Sequence, residues 1–285
     1  MSRIAYVNGR YVPHTDAGVS VEDRGFQFAD GVYEVCEVRG GRLVDERRHM
    51  ERLQRSLDLL RMDRPMPAAS LAIVMRETIR RNRVANGIVY VQVTRGEMRR
   101  DFPFPPAGTP PTVVVTARSN NPAKIEAQAE TGIAVITVAD ERWRHVDIKS
   151  VALLPNVLAK QQAREQGARE AWLVDADGRV TEGASSTAWI VTRDGVLVTR
   201  PLKGDILPGI TRSVVMDMVA AQGLRFEERP FSVEEAYAAR EAFVTSASQT
   251  VMPVVEIDGR PIGNRAPGMT ATALRRDYYR LAEFT

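Results

Sequence analysis

The stretch Asp147-Ile148-Lys149-Ser150 places a lysine beside apolar residues, in a chain where only four of the 39 Lys and Arg residues are lysines. Arginine keeps its proton near neutral pH and cannot form an imine, whereas lysine can once its surroundings lower its pKa. Lys149 is therefore a candidate nucleophile. The alternative is an ordinary buried lysine that pairs with Asp147. The remaining lysines lie beside loop signals or in a polar helical run, and they are Lys124, Lys203 and Lys160.

Composition and charge limit the class of protein. The 285 residues are 44% apolar and 26% charged, which is typical of a soluble globular enzyme of roughly two domains. The formal net charge is only +3 and basic residues interleave with acidic ones, which argues against nucleic-acid binding. The single cysteine, Cys36, permits no internal disulfide, and neither a signal region nor a membrane-length apolar stretch is found. These features predict a cytoplasmic enzyme without nucleic-acid or membrane partners.

Hydrophobic periodicity divides the first part of the chain into strands and helices. Alternating apolar residues with turn signals at Asn8-Gly9 and Gly40-Gly41 predict two hairpins. Residues 23–31 read as a polar loop, and the Pro-rich segment 95–111 as a long loop of the kind that is usually functional or mobile. The predicted strands are 4–7, 10–12, 32–38, 88–94 and 112–116, and the predicted helices begin at Asp45 and Pro67, the second ending at Asn86-Gly87.

The strand pattern breaks at Ser119-Asn120-Asn121-Pro122 and then restarts. We therefore expect a first domain over residues 1–118, a linker over 119–124 and a second domain over 125–285. In the second domain the predicted strands are 131–138, 147–150, 170–174, 187–192, 196–199, 224–228, 241–246 and 254–257, with helices over 155–166, up to 222, near 232 and from about 270. Because strands and helices mix without strict βαβ alternation, an α+β fold with largely antiparallel sheets is favoured over a doubly wound one.

Two further motifs have an ordinary and a functional interpretation. Pro208-Gly209-Ile210-Thr211 places backbone N–H groups and a hydroxyl at a helix start, which is either a simple cap or a phosphate site. Thr181-Glu182-Gly183-Ala184-Ser185-Ser186 puts a carboxylate at a turn beside hydroxyls, which is usually only turn chemistry. An amine, a phosphate cradle and a carboxylate that keeps a pyridine nitrogen protonated are together what pyridoxal phosphate (PLP) requires.

Other catalytic motifs are not supported. The three histidines, His14, His49 and His145, have no metal-ligand spacing. Gly183-Ala184-Ser185-Ser186-Thr187 lacks the final glycine and the strand-turn-helix context of a serine-hydrolase elbow. Neither a Walker phosphate loop nor a dinucleotide fingerprint occurs, so nucleotide binding has no motif behind it.

Taken together, four motifs in this order resemble the class IV, fold-type IV PLP-dependent aminotransferases, and within them the D-amino-acid (D-alanine) aminotransferases. These motifs are residues 23–35, 147–150, 181–186 and 207–212, and the similarity covers essentially the whole chain. The resemblance implies a smaller N-terminal α/β domain, a larger C-terminal domain with a mainly antiparallel, barrel-like core, an active site between them, and a homodimer.

Residue by residue, the resemblance implies that Lys149 is the Schiff-base lysine and proton carrier and that Glu182 pairs with the pyridine nitrogen. Tyr33 and Arg100 would hold the substrate carboxylate, with Arg100 reaching in from the partner subunit. The remaining cofactor contacts implied are Arg52, Ile210, Thr211, Ser246 and Ala247 at the phosphate, with Ser185 and Ser186 supporting the cofactor side. The helix pattern alone does not separate Arg52 from Arg48 or Arg55.

The chain departs from the family pattern at two positions. The D-amino-acid enzymes typically show Arg-x-His in the long loop, whereas this chain has Arg100-Asp101-Phe102, so one donor to the substrate carboxylate is missing. A threonine that often helps to hold phosphate is replaced by Ala247, with Ser248 next to it. The first departure affects substrate range, and the second affects only cofactor affinity.

We therefore predict a transaminase that exchanges an amino group between a D-amino acid, such as D-alanine or D-glutamate, and a 2-oxo acid such as 2-oxoglutarate or pyruvate. Three other classes remain as alternatives. They are a branched-chain L-amino-acid or (R)-amine transaminase, an aminodeoxychorismate-type lyase of the same fold, and a non-enzymatic binding protein.

Overall fold

A computed structural model describes residues 3–285, which form two compact units. Unit 1 comprises residues 3–122 together with Ile148–Ala152 and Glu283–Thr285, and unit 2 comprises Ala123–Asp147 and Leu153–Ala282. The sequence pattern predicts a single crossing between domains near residue 120. The structure instead assigns the lysine segment to unit 1, because its backbone hydrogen bonds are made with that unit.

Unit 1 contains one antiparallel sheet and three α-helices among its described residues. The strands are β1 (Ile4–Val7), β2 (Arg10–Pro13), β3 (Gly31–Arg39), β4 (Arg42–Leu43), β5 (Asn86–Thr94) and β6 (Thr112–Ser119), and the helices are α1 (Arg24–Phe28), α2 (Glu46–Leu59) and α3 (Ala68–Arg81). The sheet order is β2-β1-β6-β5-β3-β4. Leu53 and Leu57 of α2 and Met75 of α3 pack with the buried sheet residues in one core. The two predicted hairpins are confirmed.

Two predictions for unit 1 are wrong in detail. Residues 23–31 contain the short helix α1, because the Asp23 carboxylate accepts the N–H groups of Gly25 and Phe26 and so caps a helical turn. The helix predicted to end at Asn86-Gly87 ends at Arg81, and Asn86 already pairs in β5. The earlier end has a sequence signal, because Arg80 and Arg81 in the last turn and Asn82 after it favour a helix C-terminus.

Unit 2 contains a curled mixed sheet with helices around it. Its strands are β7 (Ile133–Ala139), β8 (Glu170–Val174), β9 (Val180–Gly183), β10 (Thr187–Val191), β11 (Leu197–Thr199), β12 (Phe226–Glu228), β13 (Glu241–Ser246), β14 (Thr250–Ile257) and β15 (Arg260–Pro261). Its helices are α4 (Pro122–Thr131), α5 (Leu154–Glu165), α6 (Ile210–Gln222), α7 (Val233–Tyr237) and α8 (Met269–Leu281).

The order of this sheet is β12-β11-β10-β13-β14-β7-β8-β9, and β15 pairs with β14. Pairing is parallel at β11-β12, β14-β7 and β7-β8 and antiparallel at the other pairs. A bridge between Gly183 and Ser186 brings the end strand β9 back to β10 in the sheet interior. The sheet therefore curls, in agreement with the predicted barrel-like and mainly antiparallel core.

Three local predictions in the second half of the chain differ from the structure. The expected linker 119–124 contains the start of α4, where Pro122 supplies a backbone angle suited to the first helical residue. The short strand expected over 147–150 is only a single bridge between Ser150 and Val32. Glu182, expected in a turn, lies within β9.

Candidate active site

The backbone around Lys149 is fixed within unit 1. The Tyr33 N–H donates to the Lys149 carbonyl at 2.9 Å, and the Val151 N–H donates to the Gly31 carbonyl at 3.0 Å. The Lys149 N–H in turn donates to the Ser56 hydroxyl of α2 at 3.3 Å. The preceding residue, Ile148, is buried in the core of the unit. Hydrogen bonds to β3 and α2 therefore hold the lysine in place from both sides.

The side-chain nitrogen of Lys149 lies over an aromatic face. Its Nζ is 4.3 Å from the centroid of the Tyr33 ring, and Tyr33 stacks on Tyr90 with ring centroids 5.6 Å apart. Burial, with Tyr33 as a second cause, raises the pKa of Tyr90 to about 12, so its phenol stays protonated at neutral pH. The structure thus brings two of the predicted site residues, Lys149 and Tyr33, into contact.

Arg52 is held by an acidic residue that the sequence analysis did not select. Glu34 of β3 is fully buried and accepts from Arg52 Nε at 2.7 Å and from Arg52 Nη2 at 2.9 Å. The Nδ1 of His49 lies 2.7 Å from the second carboxylate oxygen of Glu34. Among the three candidate arginines of α2, Arg52 is buried, whereas Arg48 is half-buried and Arg55 is exposed. Tertiary packing therefore distinguishes Arg52 where periodicity did not.

The protonation states of this cluster follow from its contacts. Burial raises the pKa of Glu34, but Arg52 and His49 outweigh burial, so that the pKa lies well below its usual range. Burial lowers the pKa of His49 more than Glu34 raises it, so the ring is neutral at neutral pH. Because the Glu34 carboxylate can only accept, Nδ1 must carry the single ring proton of His49.

We expect Glu34→Gln to lower the free energy of unfolding by about 3–5 kcal/mol at neutral pH, because Arg52 loses a buried anionic partner. The lowered pKa of Glu34 contributes stability that is present above the unfolded value of about 4.3 and is lost as the pH falls below it. The variant should therefore show a shallower loss of stability in urea titrations between pH 7 and pH 3. The surface pair of Glu51 with Arg47 offers a control, since Glu51→Gln should change stability by no more than about 1 kcal/mol. Equal acid slopes in parent and Glu34→Gln would contradict this assignment.

Glu182 of unit 2 is buried and paired with an arginine. Arg142 Nη1 donates to Glu182 Oε1 at 2.5 Å, and the Leu207 N–H donates to the same oxygen at 3.0 Å. Arg142 also binds Asp140 through Nε at 2.9 Å and through Nη2 at 2.7 Å. Burial raises the pKa of Glu182 and Arg142 opposes that rise, with a net increase. Both hydrogen bonds that Glu182 accepts within residues 3–285 end on Oε1, which leaves Oε2 as the oxygen that can receive a ligand proton.

The predicted phosphate residues of unit 2 surround the start of β10. A Cβ on Gly209, the residue before α6, would lie 2.9 Å from the Thr187 hydroxyl, so α6 begins directly beside this strand. Thr187 pairs with Thr245 of β13, whose next residue is Ser246. Leu207, just before α6, binds Glu182 as described. The N-terminus of α6 with Ile210 and Thr211, the end of β13 and Glu182 are therefore brought together, and Ala247 follows in the turn to β14.

Ser185 and Ser186 use their hydroxyls on a buried carboxylate. The Oγ atoms of Ser185 and Ser186 donate to Glu170 Oε2 at 2.7 and 3.0 Å. The other oxygen, Oε1, accepts the Ala171 N–H at 2.9 Å and lies 3.2 Å from Lys160 Nζ. The two serines thereby fix the turn that follows Glu182, and their support of a cofactor stays a prediction.

Arg100 and Phe102 lie in the long loop of unit 1, next to the aromatic side chain of Phe28. The Arg100 guanidinium carbon is 4.6 Å from the Phe28 ring centroid, and the Phe102 ring centroid is 5.6 Å from that of Phe28. Arg100 is exposed, and the side chain of Phe102 is 81% exposed. An apolar ring thus stands at the surface at the position where the family resemblance implies a histidine.

The residues that sequence analysis missed are buried charged groups. Glu34 had a usable signal, because it lies on the inward face of an alternating strand between Val32 and Cys36, where an acid is unusual. Arg142 had none, since it lies in a charged segment and reaches Glu182 across 40 positions of the chain. Among residues 3–285, no grouping of His, Cys, Asp and Glu suited to a metal ion occurs, and no helix has the length and apolarity to cross a membrane.

Comparison with known proteins gives relatives over nearly the whole chain. The family model described as amino-transferase class IV matches residues 31–257. A D-alanine aminotransferase of Bacillus licheniformis is 39% identical over 261 residues, covering 92% of this chain and 90% of the relative. A D-alanine aminotransferase of Staphylococcus haemolyticus is 37% identical over 278 residues, covering 98% of this chain and 97% of the relative.

Several solved structures with the same fold are branched-chain amino acid aminotransferases. The branched-chain amino acid aminotransferase of Escherichia coli has a TM-score of 0.89 and 26% identity, covering 99% of this chain and 95% of that one. A second branched-chain amino acid aminotransferase, solved with pyridoxamine 5′-phosphate, has a TM-score of 0.88 and 26% identity, covering 98% and 94% of the two chains.

Proposed function

Because the chain belongs to the class IV aminotransferase family, we propose that it is a PLP-dependent transaminase that moves the amino group of a D-amino acid to a 2-oxo acid. The observation that carries the D-amino-acid preference is the 39% identity to a D-alanine aminotransferase over 92% of the chain. D-alanine and D-glutamate are the proposed donors, and 2-oxoglutarate and pyruvate the proposed acceptors. The high TM-score of the branched-chain enzymes supports the second candidate, a branched-chain L-amino-acid transaminase.

The residues present fit PLP. The cofactor supplies an aldehyde that joins an amine and a ring that withdraws electrons from the substrate Cα. Lys149 offers the amine, held over Tyr33. Glu182 offers Oε2 to the ring N–H, because Oε1 is already occupied by Arg142 and Leu207. The N-terminus of α6 offers backbone donors and the positive end of a helix dipole to the phosphate.

Different side chains of this protein have different roles in the proposed reaction. We propose that Lys149 Nζ holds the cofactor and carries a proton to and from the substrate Cα. Glu182, whose carboxylate accepts a hydrogen bond from Arg142, favours the protonated ring nitrogen. Arg52, oriented by Glu34, together with Ile210, Thr211, Ser246 and Ala247, binds the phosphate. Tyr33 and Arg100 bind the substrate carboxylate.

We further propose a homodimer in which the loop carrying Arg100 completes the site of the partner subunit. Large apolar side chains of unit 1 are exposed near this loop, namely Val21 at 74%, Phe26 at 72% and Phe102 at 81%. Exposed apolar side chains in such numbers mark a contact surface for another molecule. A cytoplasmic location is proposed as well, since the single cysteine, Cys36, is free and buried and the chain therefore has no internal disulfide.

One activity panel tests the proposed function. Purified protein with added PLP is assayed with D-alanine, D-glutamate, L-leucine and (R)-1-phenylethylamine against pyruvate, 2-oxoglutarate and 4-methyl-2-oxopentanoate. Transfer from D-alanine to 2-oxoglutarate well above transfer from L-leucine supports the proposal. A preference for L-leucine identifies the branched-chain class, and pyruvate release from aminodeoxychorismate without any oxo acid identifies the lyase. A protein without visible absorbance or turnover would be a binding protein.

We expect Phe102→His to lower the KM for D-alanine by about tenfold, because a charge-assisted hydrogen bond to a carboxylate contributes roughly 1.5–3 kcal/mol. (R)-1-phenylethylamine has no carboxylate, so its KM should stay the same or rise. Measuring KM and kcat for both substrates separates the two effects.

Phe104 provides the control for this variant. It is the other exposed phenylalanine of the loop, but its ring lies under the Arg95 guanidinium at 3.8 Å. Phe104→His should therefore not improve D-alanine binding. If Phe102→His changes both substrates equally, residue 102 does not face the carboxylate, and the role of Arg100 loses its main support.

A further inference from the structure

The motif Asp23-Arg24-Gly25 has no part in the proposed chemistry, yet each of its residues has a specific structural task. Asp23 caps α1 and accepts the Thr94 hydroxyl on its second oxygen at 2.8 Å. A Cβ on Gly25 would lie 2.3 Å from the Thr94 methyl group, so only glycine fits there. The Arg24 N–H donates to the Gly96 carbonyl at 2.9 Å. Through these contacts the motif packs α1 against the start of the long loop.

The buried side chain of Arg24 donates hydrogen bonds to a later segment of the same loop. Its Nη1 donates to the carbonyls of Asp101 at 2.8 Å and Pro103 at 3.1 Å, and its Nη2 donates to the carbonyl of Phe102 at 3.2 Å. One guanidinium thus holds three consecutive carbonyls. A planar fork of five donors can do this, and a lysine ammonium cannot reproduce its geometry.

A carboxylate fixes the direction of this guanidinium. Arg24 Nε donates to Asp30 Oδ2 at 2.8 Å, and the same oxygen accepts from Arg95 Nε at 2.8 Å. Arg95 in turn donates to the carbonyls of Leu60 and Arg61 after α2. Burial raises the pKa of Asp30, but the two arginines together outweigh burial, so the net pKa is below its ordinary value. Asp30 and Arg95 therefore connect the Arg24 guanidinium, and the loop that it binds, to the end of α2.

The three carbonyls that Arg24 holds directly follow Arg100, the residue that binds the substrate carboxylate in the proposed function, and they include that of Phe102. Arg24 itself lies over Phe28 at 4.9 Å, and Phe28 is the ring against which Arg100 and Phe102 pack. We propose that Arg24 is a positioning residue that sets the place of Arg100 and Phe102 and thereby the selection of substrates with a carboxylate. The inference rests on the proposed function for its substrate but not for its effect on the loop.

Arg24→Lys tests the proposal, because it keeps the positive charge beside Asp30 and removes the fork. In PLP-loaded protein, hydrogen–deuterium exchange of peptides spanning 97–105 should become about tenfold faster or more. The KM for D-alanine should rise about tenfold to a hundredfold, as expected when a binding group moves by about 1 Å. The kcat and KM for (R)-1-phenylethylamine should change less than about threefold.

Two further variants make the test specific. Asp30→Asn keeps Arg24 but removes the carboxylate that orients its guanidinium. This variant should show the same faster exchange of residues 97–105 and the same rise in the KM for D-alanine, both smaller than in Arg24→Lys. It also keeps the proposal testable if Arg24→Lys does not fold. Arg42→Lys is the control, because Arg42 lies over Phe284 at 4.8 Å much as Arg24 lies over Phe28, but belongs to β4 and not to the motif that holds the loop. It should leave the exchange of residues 97–105 unchanged.

The proposal makes two claims, that Arg24 holds the loop and that it thereby affects substrate selection, and the outcomes distinguish them. Unchanged exchange at 97–105 in both Arg24→Lys and Asp30→Asn would contradict the claim that Arg24 holds the loop. Faster exchange with an unchanged KM for D-alanine overturns the role in substrate selection and leaves the proposed function standing. If the parent protein does not use D-amino acids at all, the proposed function fails, and the exchange data still decide whether Arg24 holds the loop.

Discussion

Lys149→Ala is expected to abolish transamination, with a loss of at least about a thousandfold, because the variant lacks both the amine that holds PLP and the group that carries the proton. Arginine cannot replace it, since its guanidinium stays protonated. The rate is measured by coupled assay with D-alanine and 2-oxoglutarate. Lys203→Ala, which removes an exposed lysine, should retain parental activity.

A chemical label tests the same assignment without measuring activity. Borohydride reduction of the PLP-loaded parent followed by peptide mapping should place the label on Lys149. Hydrogen bonds to Tyr33 and Ser56 fix the Lys149 backbone in one position, as a lysine that holds a cofactor requires. The Nζ of Lys160 instead donates to the Arg169 carbonyl at 2.7 Å, which makes this amine a poorer candidate for the label. Label on Lys160 or Lys203 would refute the assignment.

Glu182→Gln should keep PLP bound but slow proton removal from the substrate by about a hundredfold to ten-thousandfold, the range typical of acid–base contributions. A neutral amide does not favour a protonated ring nitrogen as a carboxylate does. The substitution keeps the size of the side chain, and Arg142 retains its pair with Asp140 at 2.7 Å. We therefore expect a folded variant.

Single-turnover kinetics with D-alanine measures the effect of this change directly. Glu182→Asp, which keeps the charge on a shorter side chain, should recover part of the rate. Glu241→Gln is the matched control, because Glu241 is also a buried acid of unit 2 but accepts from the backbone and hydroxyl of Thr270 at the start of α8. A single-turnover rate in Glu182→Gln equal to that of the parent would show that Glu182 does not act on the ring.

Much of the fold could be read from local patterns, because strand alternation and helix periodicity depend on residues close in sequence. The alternation of residues 32–38 and the turn at Gly40-Gly41 predicted β3 and its hairpin. The short helix α1 was missed because it depends on one capping carboxylate within a polar segment, and the start of α4 because an Asn-Pro pair was read as a linker.

The sequence by itself also determined which chemistry is available. Lys149 was the lysine that lies between Ile148 and Val151 and not beside a loop signal or in a polar helical run, and the residues before Ile210 marked the start of α6. Which polar and charged groups meet was decided only by tertiary structure. Ser56 and Lys149 are 93 positions apart, Arg142 and Glu182 are 40 apart, and Arg24 and Phe102 are 78 apart. The physical reason is that burial of a charge is stable only with a partner, and the partner is chosen by the path of the chain through space and not by its neighbours in sequence.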